Sequence, residues 1–206
     1  ALVQAFYYGQ EGGNAIADVL LGNISPSGKL PVTFLKRWED APAYDRYPGD
    51  GTTVNYSEGI FVGYRWFDRK GIEPQFPFGY GLSYTAFEYS DLKFTSKRNG
   101  ELRVTFKIKN TGTRDGAEAA QIYVGDTRSS VERPPKELKG IAKVFLKAGE
   151  KKTVSVVLKK DAFAFYDAKR SEWKAERGGF DILVGRSSRD IRLRGRFNLG
   201  RDIVFK

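Results

Sequence analysis

The 206-residue sequence contains no cysteine, no histidine and no methionine. Without cysteine it has no disulfides, no thiolate nucleophile and no thiolate metal site, and redox chemistry says nothing about its compartment. Without histidine a Ser-His-Asp triad, an imidazole base and a histidine-rich metal site are all excluded from this chain. Proton transfer is left to carboxylates, lysine, arginine and tyrosine. Long apolar runs are missing too. No stretch approaches the roughly 18 to 20 residues that a membrane-spanning helix requires, so no membrane partner is expected. Neither a metal nor a cofactor is called for by any motif.

What the chain does have is ample apolar bulk: 40% hydrophobic residues, with fifteen Phe, eleven Tyr and three Trp, enough for one large core or two small ones. Its net charge of +10 is unevenly placed. Residues 1–84 hold 7 basic and 9 acidic side chains, whereas residues 85–206 hold 28 and 16, which points to two units with different surroundings. The opening stretch ALVQAFYYGQEGG already reads as the inside of a folded element. The chain is therefore expected to be the C-terminal portion of something longer.

In the first unit, GQEGG leads into NAIADVLLG, where Ala15, Ile16, Val19 and Leu20 fall on one helical face and Gly22 follows as a stop. A Pro and Gly turn then precedes a short extended run, Leu30 to Phe34, which reads as a strand. A buried parallel sheet needs more strands than this, so the sheet neighbours must come from elsewhere. Residues 36–84 read as irregular and aromatic-rich, the kind of long loop that wraps a scaffold or carries function. From residue 85 the period becomes two. Segments 87–96, 102–110, 117–126, 139–146, 151–159, 179–185 and 189–199 read as seven short strands, which is the pattern of an immunoglobulin-like or fibronectin type III-like sandwich.

Four features invite functional readings. GQEGG before a helix can cradle an anion at the helix N-terminus, but it lacks the Lys-Ser/Thr of a phosphate loop. The favoured reading is a structural turn with Glu11 hydrogen-bonded at the helix start. The basic second unit fits either a polyanion surface or half-solvated strand faces, and the alternation in TFKIKN and VSVVLKK favours the latter, leaving nucleic acid disfavoured as a partner. The aromatic series Tyr56, Phe61, Tyr64, Trp66, Phe67, Phe76, Phe78, Tyr80 and Tyr84 fits sugar stacking or, more economically, interdomain packing. Within it, NYSEGIFVGYRWFD carries Glu58 and Arg65. Glu58 is assigned a structural role, paired with Arg65 or holding backbone amides.

Taken in order, YYGQEGGNAIADVLLGNISPSGKLPVTF, YSEGIFVGYRWFD, PQFPFGYGLSYTAFEYSDL, RPPKELKGIAKVFLKAGEKKTVSVVL and GGFDILVGRSSRDIRL closely resemble the C-terminal part of glycoside hydrolase family 3, over nearly the whole chain. One departure is Tyr8, where many members have Pro. The resemblance implies an α/β plus all-β organisation: residues 1–84 as the C-terminal remnant of an α/β sandwich domain with its aromatic interdomain segment, and residues 85–206 as a fibronectin type III-like β-sandwich. It further implies a retaining, exo-acting β-glucosidase or β-xylosidase type of enzyme, whose two carboxylates stand roughly 5 to 5.5 Å apart. In the family these lie on a barrel domain and on an earlier segment of the α/β domain. No catalytic residue therefore maps onto this chain, which is expected to be inactive alone, with Glu11, Glu58 and Arg65 as structural candidates. The implied partner is a portion or chain carrying the barrel domain and the rest of the α/β domain. The alternative reading is a stand-alone carbohydrate- or polyanion-binding β-sandwich module.

Overall fold

A computed structural model describes residues 2–97 and 100–206; Ala1, from which the expectation about the chain start is read, lies outside them. The folding logic is plainest in strand β2 (Leu102–Asn110), where Leu102, Val104, Phe106 and Ile108 are fully buried and alternate with Arg103, Thr105, Lys107 and Lys109. That period of two puts every apolar residue on one face of a pleated strand. Antiparallel pairing with β1 (Phe87–Ser96) and β5 (Lys151–Leu158) extends the face to a three-stranded sheet, β1-β2-β5.

A second sheet runs in the order β4 (Glu137–Leu146), β3 (Gly116–Asp126), β8 (Gly178–Gly185), β9 (Ile191–Leu199). Its inward residues, among them Ala120, Ile122, Val124, Phe180, Ile182 and Val184, share one core cluster with the inward residues of the first sheet. Two antiparallel sheets packed face to face through such a cluster are a β-sandwich. Each segment expected as a strand beyond residue 85 is one, within a few residues at its ends.

One small sheet escaped the sequence reading. β6 (Phe165–Asp167), β7 (Glu172–Ala175) and β10 (Ile203–Phe205) pair in the order β10-β7-β6 and close one end of the sandwich, with Ile203 and Phe205 packed on the core. Phe163, just before β6, is fully buried and meets Phe180 edge-on at 5.1 Å.

The turn between β2 and β3 is fixed by Asn110, which is completely buried. Its amide nitrogen donates to the carbonyls of Arg114 (2.7 Å) and Leu146 (3.2 Å), and its Oδ1 accepts from the Thr85 hydroxyl (2.6 Å) and the Gly112 N–H (3.1 Å). A buried amide with every group satisfied holds a turn in one shape.

The first unit is sparse in regular structure. Helix α1 (Gly12–Leu20) starts two residues earlier than the apolar spacing suggests, and Gly12 is its single buried residue. Leu30 to Phe34 is not a strand: its backbone pairs with residues 75–80 through Leu30 N to Tyr80 O, Phe34 N to Phe76 O and Gly79 N to Leu30 O, each 2.8 Å, giving one isolated bridge between Phe34 and Phe76. A strand needs a continuous ladder on at least one side, and among the described residues no neighbouring strand supplies it. Residues 36–84 are likewise not wholly irregular, since they contain helix α2 (Tyr64–Lys70) and a short 3₁₀ turn at Trp38–Asp40.

Candidate functional site

Helix α2, YRWFDRK, is only seven residues long and far too short to persist by propensity alone. Glycines bracket it. Gly63 (φ +56°) precedes it and Gly71 (φ +65°) closes it in the left-handed conformation, with the Ile72 N–H bonded to the Phe67 carbonyl at 3.0 Å. Arg69 and Lys70 occupy the last turn, where cations suit the helix dipole. Packing supplies the rest. Phe67 is buried, the Trp66 indole N–H donates to the Asp40 carbonyl (3.1 Å), and the Arg69 guanidinium sits 3.9 Å from the centre of the Phe61 ring.

The helix is clamped onto the outer face of the four-stranded sheet. The Tyr64 ring stacks on Phe78 (4.9 Å) and meets Tyr123 of β3 edge-on (5.9 Å), while its hydroxyl accepts the Leu138 N–H of β4 at 2.8 Å. Asp68 is held by Lys136 and by Arg189 (3.2 Å), and Arg189 also donates to the carbonyls of Phe67 (3.2 Å) and Ile72 (3.0 Å). Arg65 pairs with Glu137 at 3.2 Å, and Arg133 holds Glu137 (2.8 Å) and Asp126 (3.4 Å) from the other side. Burial works to raise the Glu137 carboxyl, but the Arg133 hydrogen bond and the charges of Lys139, Arg133 and Arg65 outweigh it and leave the group below its ordinary value.

Beside the clamp lie two further ties. The Gln121 amide nitrogen donates to the carbonyls of Gly79 (3.0 Å) and Arg186 (2.8 Å), and its oxygen accepts from the Tyr123 hydroxyl (2.6 Å). Gly79 has φ +80°, and a Cβ there would stand 2.0 Å from the Gln121 oxygen, so only glycine permits this approach. Glu118, almost completely buried, gathers Lys29 (3.4 Å), Arg186 (3.2 Å) and the Tyr89 hydroxyl (2.9 Å). Burial pushes the Lys29 ammonium below its ordinary value against the pull of Glu118, and burial with the Glu118 charge pushes the Tyr89 phenol up.

A cavity of about 340 Å³ opens where residues 73–82 face the turn after β8, lined by Glu73, Pro74, Tyr80, Arg186 and Asp190 among others. Asp190 is committed to Arg192 at 2.6 Å. Among the described residues no group of three or more Asp or Glu side chains gathers in a way that would hold a metal ion, and no helix is long and apolar enough to cross a membrane.

Of the three residues singled out from sequence, only Arg65 enters the clamp. The Glu58–Arg65 pair does not form: the helix start aims Arg65 at β4, where Arg133 already fixes Glu137. Glu58 is half-buried in the turn before α2, its backbone carbonyl accepts the Phe61 N–H (3.1 Å), and its carboxylate makes no ion pair or hydrogen bond among the described residues. Glu11 stands at the N-cap of α1, where its carbonyl accepts the Ala15 N–H (3.0 Å); its carboxylate caps no backbone amide and accepts from the Asn14 side chain at 2.6 Å. The aromatic series divides as well. Tyr64 and Phe78 meet the sandwich, whereas Tyr56 is 79% exposed and Tyr84 spends its hydroxyl on the Val19 carbonyl (2.8 Å).

Residues 1–64 match the model described as the glycosyl hydrolase family 3 C-terminal domain, and residues 118–188 match the fibronectin type III-like domain. The thermostable beta-glucosidase B of Acetivibrio thermocellus is 52% identical over 197 residues, covering 94% of this chain and 26% of that protein. The chain belongs to the C-terminal part of glycoside hydrolase family 3. A Bacteroides ovatus beta-glucosidase, BoGH3A, is similar to this family 3 chain at 47% identity over 199 residues, covering 93% of it and 27% of the relative. Beta-glucosidase 3B of Thermotoga neapolitana, solved with alpha-D-glucose, superposes with a TM-score of 0.88 at 43% identity, over 96% of this chain and 28% of that one. This family 3 chain thus spans about a quarter of the length of the relatives it matches. Its fold class follows from both matches: the C-terminal part of an α/β domain, then a fibronectin type III-like β-sandwich.

Proposed function

We propose that this chain is the C-terminal structural part of a retaining, exo-acting β-glycosidase of the β-glucosidase or β-xylosidase type, with both catalytic carboxylates outside it. In this reading residues 1–84 complete the α/β domain and residues 85–206 are the sandwich that supports it. Glu11, Glu58 and Arg65 act structurally.

One observation carries the reading. The first unit is clamped to the sandwich through residues 64–80, yet its opening segment, residues 2–21, leaves Leu2, Val3, Phe6, Tyr7, Leu20 and Leu21 exposed, with Leu21 at 77% and Tyr7 fully open. So many large apolar side chains along one short segment is the mark of a surface built to be covered. Helix α1, with its single buried residue, lacks the packing that a nine-residue helix needs. The buried acids support the same reading: Asp68, Glu118, Asp126 and Glu137 each neutralise a cation and are poorly placed to share a proton with substrate.

The test uses the purified chain and an aryl β-glucoside or β-xyloside. No turnover is expected from the chain alone, and turnover should return when it is co-expressed with the preceding portion of a family 3 relative. Hydrolysis that co-purifies with the single polypeptide would overturn the reading.

A further inference from the structure

We propose that the outer face of the β1-β2-β5 sheet is a docking surface for an acidic polysaccharide, a polymer bearing a carboxylate on each sugar. The two sheets share one core, so their outer faces point in opposite directions. The clamp covers the outer face of the four-stranded sheet around Gln121 and Tyr123. Nothing among the described residues covers the other.

Register defines what that other face presents. Phe87, Tyr89, Leu92 and Phe94 of β1 pack on the core, which leaves Glu88, Ser90, Lys93 and Thr95 outward. The pairing shifts between Ser90 and Lys93, where Asp91 takes φ +58°, and this bulge adds the Asp91 carboxylate to the same outer side. Arg103, Thr105, Lys107 and Lys109 of β2 stand across from them. On β5, Lys151, Thr153 and Ser155 lie opposite Lys109, Lys107 and Thr105. The face therefore holds Lys93, Arg103, Lys107, Lys109 and Lys151 against Glu88 and Asp91, interleaved with hydroxyls.

Three observations separate this face from ordinary solvated polarity. First, on the clamp side Arg65, Lys136, Arg186 and Arg189 all reach carboxylates, whereas here Asp91 closes one ion pair, with Lys107 at 2.8 Å. Lys93 and Lys151 feel that same carboxylate only at longer range. Second, Lys109 and Lys151 are direct cross-strand partners, like charges side by side whose one directly opposed carboxylate is Glu88, across from Lys109 on β1. Third, lysine on edge strands discourages strand addition, but Arg103, Lys107 and Lys109 lie on the central strand, where no edge needs protection.

The chemistry of the face chooses the polymer. Lys107 and Lys109 stand about 7 Å apart along β2 and Lys109 about 5 Å from Lys151 on β5, a cluster of three cations able to meet carboxylates on nearby sugars, and the serine and threonine hydroxyls suit sugar hydroxyls. Nucleic acid fits less well. The face carries no aromatic side chain for base stacking and projects no helix or ribbon into a groove.

The experiment measures binding of the purified chain to labelled polygalacturonate at low salt, with a neutral β-glucan and duplex DNA as comparison polymers. Binding to polygalacturonate alone is expected, weakening by roughly two to three orders of magnitude per tenfold rise in salt, as release of counterions from about four charges requires. The double variant Lys109→Glu/Lys151→Glu should lose at least tenfold in affinity, while Lys169→Glu, in the exposed turn between β6 and β7, should bind as the parent does. If the double reversal unfolds, Lys109→Gln/Lys151→Gln takes its place and should lose several-fold. Equal binding by the parent and the double variant, tighter binding to DNA, or no binding at low salt would each overturn the proposal. None of these outcomes bears on the assignment of the catalytic carboxylates.

Discussion

Replacing Tyr64 separates two contributions that hold α2 to the sandwich. Tyr64→Phe keeps the ring on Phe78 and Tyr123 and removes only the acceptor of the Leu138 N–H, a 2.8 Å bond in a half-buried setting. An orphaned amide costs about 1 to 3 kcal/mol when fully buried, so the lower end, about 1 kcal/mol, is expected here. Tyr64→Ala adds the loss of two aromatic contacts, about 0.5 to 1.5 kcal/mol each, and of the apolar area the ring covers, for a total of about 3 to 5 kcal/mol. Urea unfolding followed by far-UV circular dichroism gives the free energies, and hydrogen exchange at Leu138 reports the bond itself. The expected result is a ladder, with Leu138 exchanging faster in both variants. A Tyr64→Phe protein as stable as the parent with Leu138 still protected would refute the clamp as described.

Four further outcomes are expected. Gly79→Ala should cost at least ~2 kcal/mol in urea unfolding, because φ +80° is strained for alanine and the new methyl must displace the bonded Gln121 amide. Gly13→Ala, in α1 with nothing within 4 Å, should be neutral or mildly stabilising in the same assay. Asn110→Ala should lower stability by about 2 to 3 kcal/mol, since it strips a buried turn of four hydrogen bonds, and a variant that melts with the parent would show the turn to be self-supporting. Glu137 is held below its ordinary value in the folded chain, so its stabilisation is fully present above about pH 4.3 and is lost as pH falls through the depressed value. Thermal melts of Glu137→Gln should accordingly be lower at neutral pH and flatter below about pH 4 than those of the parent.

The strands of the sandwich were legible because one face of each is committed to the core: Leu102, Val104, Phe106 and Ile108 cannot be read with any period but two. Helix α2 was not, since YRWFDRK is short and aromatic and its apolar residues do not repeat over enough turns to signal a helix. The overlooked cue is the glycine pair, Gly63 and Gly71, placed where a helix start and a left-handed stop require them. β6, β7 and β10 are three or four residues each, too short to show alternation. Leu30 to Phe34 has the composition of a strand, but a strand is a relation to a neighbour, and composition carries no information about whether one is present. The Glu58–Arg65 expectation failed for a related reason. Nearness in sequence suggested the pair, while the true partner, Glu137, lies 72 positions further along and was recruited by the fold. Most clamp residues, Gln121, Arg133, Glu137 and Arg189 among them, sit in strands and turns where no local pattern singles them out, because their partners lie far along the chain.

The tie between Gln121 and Gly79 gains its meaning from where its companions attach. Glu137 lies on β4, Gln121 on β3 and Arg189 in the turn leaving β8, so the mounting points are distributed across the breadth of the sheet. Rocking about any one strand would open a gap at another. The joint therefore behaves as a three-point mount instead of a hinge, and the segment 62–80 moves with the sandwich as a single body. Any flexing of a larger protein that contains this chain has to take place on the far side of that segment.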